Sequence, residues 1–293
     1  MKFLICIGGV ELSAETLRFG ARIAKAFEAH LSLLYVQERL PHAVRPEVGL
    51  TREKLSEWEI ELPGVKVLVG ARSLLLEEGL LKTGPSGEIV ERHGLKPAIR
   101  GAYELHVYGL HGQDIRLRLR EGDVIDEVNK EVESDQHDLV IFGASQKRTL
   151  LNKLIQFIDC SMLVVKNPRN VKYEFLICTD SSPASHRAEL FGAKLARSLD
   201  APVTLLSVAK FKNREHVAME GAERASRFLA RAGVHHSISV RVGNVVDQIA
   251  AHARENTVVV MGTSRMSELR KLLFGSKPMK VVEAVNCPVL IVK

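Results

Sequence analysis

An internal repeat constrains the fold of this chain more than any other feature of the sequence. Residues 2–36 align with residues 174–208 without a gap, at a constant offset of 172, and 13 of the 35 pairs are identical. Shorter matches follow in the same order: LRLREGDVIDEV with SVRVGNVVDQI (one gap), IFGAS with VMGTS, and CSMLVVK with CPVLIVK. A long repeat in two copies indicates a duplicated domain rather than a solenoid, whose period would be shorter.

Two domains of ordinary size follow from this repeat and from the length of 293 residues. We place the first domain at residues 1–168, with an insertion at about residues 40–116, and the second at residues 171–293. A short linker, NPRN, separates the two halves at residues 167–170.

The second half alternates short apolar strands with helical patterns. Ser182 and Pro183 follow the strand at 175–179 as a helix N-cap and first helical residue. Residues 258–261 form a continuous apolar strand, which is typical of a parallel strand buried on both faces. This alternation predicts an α/β fold of two tandem repeats, each an open, mostly parallel five-stranded sheet flanked by helices.

The insertion in the first half departs from this pattern. Residues 102–109 and 114–121 alternate apolar and polar side chains around a turn at 110–113, which predicts a hairpin. Upstream of it we predict a helix at 52–62, a strand at 65–69 and a helix at 71–81. Arg116, Arg118 and Arg120 share one face of the second hairpin strand, where they are solvated or paired with Glu121 and Asp123.

Cysteine and histidine positions argue against metal sites and disulfides. The cysteines occupy two duplicated positions, Cys6 with Cys178 and Cys160 with Cys287, which predicts buried structural thiols. The insertion contains His93, His106 and His111, which are too dispersed in sequence to predict a zinc site. Without a visible signal peptide or an apolar run of membrane-spanning length, we expect a cytoplasmic protein.

The positive charge of the chain is concentrated in its second half. The net charge is +6, but residues 170–293 hold 18 Lys and Arg against 11 Asp and Glu. This excess indicates an anionic ligand on the second half, with plain solubility as the alternative. A nucleic-acid partner is disfavoured because aromatic residues make up only 5% of the chain and no basic stripe is interleaved with them.

The segment from Met261 to Ser276 carries the strongest functional signal. It begins at the carboxyl end of the buried strand, where open α/β sheets bind ligands, and Gly262 is expected to let the chain turn sharply there. Gly275 and Ser276 precede a further helical run, where backbone N–H groups and a hydroxyl would bind an anion. Residues 261–280 contain one acidic residue, Glu268, and five basic ones: Arg265, Arg270, Lys271, Lys277 and Lys280.

These residues resemble the universal stress protein family in its tandem two-domain form. Nucleotide-binding members carry Gly-x2-Gly-x9-Gly-Ser/Thr after the fourth strand, and this chain has Gly262-x2-Arg265-x9-Gly275-Ser276. The sequences FLICTDSSPAS and CPVLIVK also resemble the first and last strands of the family. The resemblance covers nearly all of 173–293 together with 1–36 and 117–166. It implies an adenine nucleotide alpha hydrolase-like fold, with the hairpin inserted in the first copy.

The resemblance also implies roles for individual residues. Thr179 and Asp180 would contact adenine or ribose, and Val208 would line the adenine pocket. Gly262 and Arg265 would lie beside the ribose and phosphates. The remaining candidates are Ser182 and Met261, and, beside the phosphates, Gly275, Ser276 and Lys277. Two of these residues have a structural alternative, since Asp180 could cap the following turn and Ser182 could act only as the helix N-cap.

Two departures from the family pattern leave the prediction of a bound nucleotide open. Arg265 replaces a glycine, so its side chain either blocks close approach of a phosphate or binds the phosphate directly. In the first half, Gly8 replaces Asp180 and the loop between Gly143 and Cys160 is eight residues shorter than its counterpart. We therefore expect the first half to have lost its site and to pair its last strand with that of the second half, as an intramolecular pseudo-dimer.

Our leading interpretation is a stress-response or regulatory protein that binds ATP or AMP, with Mg2+, in its C-terminal domain. The alternative is an interaction module that binds no nucleotide and engages a protein partner. No Walker A, GxGxxG, HExxH or GxSxG motif is present, so we expect that the protein is not an enzyme. Slow ATP hydrolysis remains an open alternative. We expect neither a membrane nor a nucleic acid as partner, and a homodimer remains an open alternative.

Overall fold

One continuous sheet runs through both halves of the chain. The structure is a computed structural model that describes residues 1–7, 13–37, 63–98, 102–144, 148–263 and 277–293. Within these residues, twelve strands lie in the order β10-β9-β8-β11-β12-β7-β6-β1-β2-β5-β4-β3. The predicted α/β class and the mostly parallel sheets with flanking helices are confirmed.

The elements of the first half alternate as the sequence pattern predicts, apart from the inserted segment. They are β1 (Lys2–Ile7), α1 (Ala14–Ala26), β2 (His30–Gln37), α2 (Pro63–Glu77), β3 (Glu91–Pro97), β4 (Tyr103–Tyr108), β5 (Asp114–Glu121), α3 (Val124–Asp135), β6 (Leu139–Gly143), α4 (Arg148–Phe157) and β7 (Ser161–Val165).

The elements of the second half form a shorter and more regular series. They are β8 (Glu174–Thr179), α5 (Pro183–Ser198), β9 (Val203–Ala209), α6 (Glu215–Arg231), β10 (His236–Val242), α7 (Val245–His252), β11 (Thr257–Gly262), α8 (Lys277–Ala284) and β12 (Val289–Val292). A single 3-10 turn at Lys212–Arg214 precedes α6.

Among the described residues, each half contributes five parallel strands in the same spatial order. In the second half this order is β10-β9-β8-β11-β12, and in the first it is β5-β2-β1-β6-β7. The halves join where β7 and β12 pair antiparallel, with Leu163 opposite Leu290. The pairing of last strands expected from the repeat is therefore present within the chain.

The inserted strands extend the first sheet at its outer edge. β4 pairs antiparallel with β5 across residues 109–113, and β3 pairs antiparallel with β4. However, β5 also pairs in parallel with β2, in the position that β10 holds beside β9. The second strand of the predicted hairpin thus belongs to the repeated sheet, and the strands added to it are β3 and β4.

Two hydrophobic cores cover the two faces of the sheet. Alternate strand residues enter opposite cores, since Phe3 and Ile5 pack with α1 while Leu4 packs on the other face. The same close contact in both copies explains why glycine occupies one aligned position, at Gly20 and Gly192. A Cβ added to Gly20 would lie 2.8 Å from Ile5 Cδ1, and one added to Gly192 would lie 2.8 Å from Ile177 Cδ1.

One prediction for the first half is wrong, and another is not tested. The predicted strand at 65–69 is part of α2, because Leu68, Ala71 and Leu75 fall on one buried helical face. The predicted helix at 52–62 lies outside the described residues.

The arginines of β5 have different partners from those predicted. Arg118 and Arg120 both bind Glu131 of α3, and Arg118 also donates to Glu104 of β4 at 2.7 Å. Asp123 instead caps the N-terminus of α3. The pairing follows from tertiary structure, because α3 folds back over the face of β5 that carries the arginines.

All four cysteines are free thiols, and Cys160 and Cys287 are buried. Burial raises the pKa of Cys160 and Cys178 to about 12 and that of Cys287 to about 11. These thiols are therefore protonated at neutral pH, which agrees with a structural role.

Candidate functional site

The carboxyl ends of three parallel strands in the second half form one wall of a wide cleft. β8, β9 and β11 end there at Thr179, Ala209 and Gly262, and β8 lies between the other two. From β8 the chain continues to β9 on one side, and β11 lies on the other side. The carboxyl end of β8 is therefore a topological switch point of the sheet. The cleft has a volume of about 1100 Å³ and is bounded by α5, α7 and α8.

The structure brings seven of the ten predicted site residues together around this cleft. They are Thr179, Asp180, Ser182, Val208, Met261, Gly262 and Lys277. The other three, Arg265, Gly275 and Ser276, lie outside the described residues. Both interpretations of Arg265 therefore stay predictions.

Gly262 is required for close packing rather than for the sharp turn predicted from the sequence. A Cβ added there would lie 2.8 Å from the backbone nitrogen of Ser185 and closer still to the carbonyl of Ala184. Gly262 is not among the described glycines with a positive φ. The end of β11 thus reaches the first turn of α5 because this residue has no side chain.

Asp180 and Ser182 shape the turn between β8 and α5. Ser182 is the N-cap of α5, and its Oγ accepts the N–H of Ser185 at 3.1 Å. Asp180 Oδ1 accepts the N–H of Ser182 at 3.0 Å. The structural alternatives named for both residues are therefore present, although both side chains also line the cleft.

The carboxyl group of Asp180 is ionised at neutral pH. Partial burial opposes its ionisation, but hydrogen bonds from Ser182 and Ser185, together with the charge of Lys277, hold its pKa below the usual range. An ionised carboxylate at this edge can accept hydrogen bonds from the hydroxyl groups of a ligand.

Thr179 is held by a partner that the sequence did not predict. Its hydroxyl donates to Glu189 Oε1 of α5 at 2.5 Å, and only 4% of the residue is exposed. His186 Nδ1 lies 3.0 Å from the other carboxylate oxygen of Glu189. Since the only proton of this hydroxyl is donated to Glu189, the hydroxyl could accept a hydrogen bond from a ligand but could not donate one.

Arg187 is a cleft residue that sequence reasoning missed. It extends from α5 and donates to the carbonyl oxygens of Pro183 and Thr263, both at 3.3 Å. Its Nε is buried and has no hydrogen-bond partner among the described residues. The repeat contains a signal for it, since the aligned residue of the first half is Glu15, with the opposite charge.

The lining of the cleft divides into an apolar wall and a cationic rim. Val208, Val245, Ile249 and Met261 form the apolar part. The charged part of the lining consists of one carboxylate, Asp180, and four cations: Arg187, Lys277, Lys280 and Lys293. This arrangement suits a ligand with a flat apolar ring, hydroxyl groups and an anionic end.

The first half has different residues at the equivalent positions. Ile7 and Leu17 align with Thr179 and Glu189, so a buried apolar pair replaces the buried polar pair. Strand pairing places Phe142, which is 1% exposed, in the position of Met261. Gly8 lies outside the described residues. The loss of a site from this half remains a prediction, which these replacements favour.

No helix within the described parts of the chain has the length and apolar character needed to cross a membrane.

Comparisons with known proteins connect both halves to one family. The model of the Universal stress protein family matches residues 1–166 and 174–293. Universal stress protein Slr1230 of Synechocystis sp. is 21% identical over 310 residues, covering 98% of this chain and 98% of that protein.

Two solved structures share the fold over nearly the whole chain. A functionally unknown protein of Pseudomonas aeruginosa PAO1 has a TM-score of 0.62 at 17% identity, covering 100% of this chain and 92% of that one. A universal stress protein of Archaeoglobus fulgidus DSM 4304 has a TM-score of 0.61 at 12% identity, covering 99% and 96%.

Proposed function

The chain belongs to the universal stress protein family, and from this premise we propose that its second half binds an adenine nucleotide as a regulatory ligand in a stress response. ATP is the ligand we favour, with Mg2+, and AMP is the alternative. We propose a cytoplasmic binding protein rather than an enzyme.

The division of the cleft into an apolar wall and a cationic rim is the observation that carries this proposal. Val208, Val245 and Met261 offer a surface for the adenine ring. Asp180, ionised at the strand end, would accept hydrogen bonds from the ribose hydroxyls.

The number of cations favours a triphosphate over a monophosphate. Arg187, Lys277 and Lys280 line the same cleft, whereas Lys293, which also lines it, donates from Nζ to the carbonyl oxygen of Ile158 and is not counted. A single phosphate group carries about two negative charges at neutral pH, fewer than these cations can balance. Arg187 supplies a planar guanidinium, which suits phosphate geometry.

Calorimetric titration of the full chain with ATP and AMP, with and without Mg2+, tests the proposal. We expect one nucleotide per chain and tighter binding of ATP than of AMP. Two nucleotides per chain would contradict the expected loss of the first site. Absence of binding heat, together with absence of bound nucleotide by native mass spectrometry, would refute the proposal and favour the interaction module.

The repeat offers a matched pair of variants that locates the site. Val208 and Val36 occupy equivalent strand positions, since Val36 pairs with Arg120 as Val208 pairs with Arg241. Both are partly buried. We expect Val208→Phe to fill the apolar wall and abolish ATP binding, whereas Val36→Phe leaves binding unchanged. Equal effects of the two variants would mean that the cleft of the second half is not the site.

A further inference from the structure

The inserted strands β3 and β4 bring two histidines face to face. His93 and His106 are direct partners in the antiparallel ladder, although 12 residues separate them in the sequence. Their ring centroids are 5.5 Å apart at an interplanar angle of 88°. His111 does not join them, since its side chain is 58% exposed and lies 3.9 Å from Glu28.

Glu104 completes a compact group with these histidines. It lies two residues before His106 on the same strand and therefore on the same face of the sheet. Its Oε1 is 3.5 Å from His93 Nε2. One ligand atom from each of the three residues lies within 4.8 Å of the others. The group is largely shielded from solvent, with exposures of 18% for His93, 12% for Glu104 and 3% for His106.

Hydrogen bonds determine which nitrogen or oxygen atom of each side chain keeps a free lone pair as an acceptor. His93 Nδ1 donates to the carbonyl oxygen of Gly94 at 3.0 Å, so Nε2 of the neutral ring keeps its lone pair. His106 Nε2 donates to Asp114 Oδ1 at 2.8 Å, which leaves the lone pair on Nδ1. Glu104 Oε2 accepts from Arg118 Nε at 2.7 Å, which leaves Oε1.

With both rings neutral, His93 Nε2, His106 Nδ1 and Glu104 Oε1 are therefore acceptor atoms of one compact group of side chains. With His93 neutral, its Nε2 and Glu104 Oε1 are two acceptors 3.5 Å apart, whereas a protonated His93 would donate from Nε2 to this oxygen. A cation bound by all three residues would satisfy these acceptors together, whereas a proton on His93 would serve only Glu104. Arg118 pairs with the other oxygen of Glu104, Oε2, and is shared with Glu131 and Asp135 on the side of α3.

We propose that His93, Glu104 and His106 bind a Zn2+ ion. Zinc takes nitrogen and oxygen ligands at about 2.0–2.2 Å in a tetrahedron, whose neighbouring ligand atoms are then roughly 3.3–3.5 Å apart. The separation of His93 Nε2 from Glu104 Oε1 already matches this distance. Imidazole ligands select zinc over Mg2+, which prefers oxygen ligands and water.

The outer partners of the three ligands support this assignment. Zinc-binding histidines commonly donate their second N–H to a carboxylate or a backbone carbonyl, as His106 does to Asp114 and His93 does to Gly94. Three protein ligands leave a fourth position for a water molecule. The bound ion would join the edge strand β3 to β4 and stabilise the outer end of the sheet.

Competition between the metal-free full chain and a chromophoric zinc chelator tests the site, with zinc chloride as the only added metal. We expect the chain to bind zinc at one tight site, and we expect excess Mg2+ not to displace this zinc. His93→Gln should remove this binding, and Asp114→Asn should weaken it about 10- to 100-fold. His111→Gln, a control in the same insertion, should bind zinc as the unchanged chain does.

The outcomes separate this site from zinc bound at scattered surface histidines. Equal zinc affinity in His93→Gln and His111→Gln, or no tight binding by the unchanged chain, would overturn the proposal. The result for His93→Gln decides whether the site exists, even if a substitution of Glu104 prevents folding, because His93 lies on the edge strand. As a second readout, zinc should raise the thermal unfolding temperature of the unchanged chain and of His111→Gln but not of His93→Gln.

Discussion

The backbone of Gly262 at the end of β11 lies directly against the carbonyl of Ala184 in the first turn of α5. No side-chain atom fits between them, since an added Cβ would also lie 2.8 Å from the nitrogen of Ser185. This contact sets the distance between two walls of the cleft, because Gly262 and Ala184 both line it.

We expect Gly262→Ala to separate these walls and to weaken ATP binding. Both colliding groups are backbone atoms that cannot rotate away, so the free energy of unfolding should also fall by about 1–3 kcal/mol. Calorimetry and urea denaturation measure the two effects. Gly94→Ala is the control, because its Cβ would meet only Glu91 Oε2 at 3.8 Å. Unchanged ATP affinity in Gly262→Ala would contradict this account of the cleft.

Removing or reversing the charge of Arg187 should weaken binding of ATP more than binding of adenosine. A charged hydrogen bond contributes about 1.5–3 kcal/mol, so Arg187→Ala should raise the Kd for ATP about 10- to 100-fold, and Arg187→Glu should raise it further. Glu15→Arg introduces the opposite change at the aligned position of the first half and should leave ATP binding intact. Equal losses for ATP and adenosine would show that Arg187 supports the fold of the cleft and does not contact phosphate.

Removing the charge of Glu131 should strongly destabilise the first half. This carboxylate is fully buried and binds both Arg118 and Arg120, so Glu131→Gln removes a negative charge that the two arginines share. Arg118 then keeps Glu104 and Asp135, and Arg120 keeps Glu127. Breaking a buried ion pair in this way costs about 3–5 kcal/mol. Glu133→Gln changes an exposed residue of the same helix and serves as the control in urea denaturation. A similar, small effect of both variants would mean that the buried ion pairs contribute little.

Glu78 should contribute to the loss of stability in acid. Partial burial opposes its ionisation, but hydrogen bonds from Arg22 and Arg18 outweigh this and lower its pKa in the folded state. A lowered pKa stabilises the fold above the ordinary glutamate range, near pH 4, and this stabilisation disappears as pH falls through the lowered pKa. Urea midpoints measured from neutral to acidic pH should therefore fall less steeply for Glu78→Gln. Parallel curves for the two proteins would rule out this contribution.

Sequence patterns predicted much of the fold because they depend on nearby residues. The repeat and its strand-helix alternation predicted two parallel sheets, and the family resemblance was confirmed over both halves. The strand predicted at 65–69 was wrong, because β-branched residues there favour a strand while packing of Leu68 and Leu75 requires a helix. Seven predicted cleft residues came together, since each follows or ends a parallel strand or begins a helix at the same sheet edge.

The sequence by itself determined the duplicated α/β fold and the edge of the sheet where the cleft lies, because hydrophobic periodicity and helix caps are encoded in adjacent residues. Only the tertiary structure decided which distant side chains meet. The register of β3 on β4 placed His93 opposite His106, and packing of α3 on β5 gave Arg118 its partner Glu131. Register and helix packing depend on contacts across the whole sheet, so no local pattern in the chain could predict these neighbours.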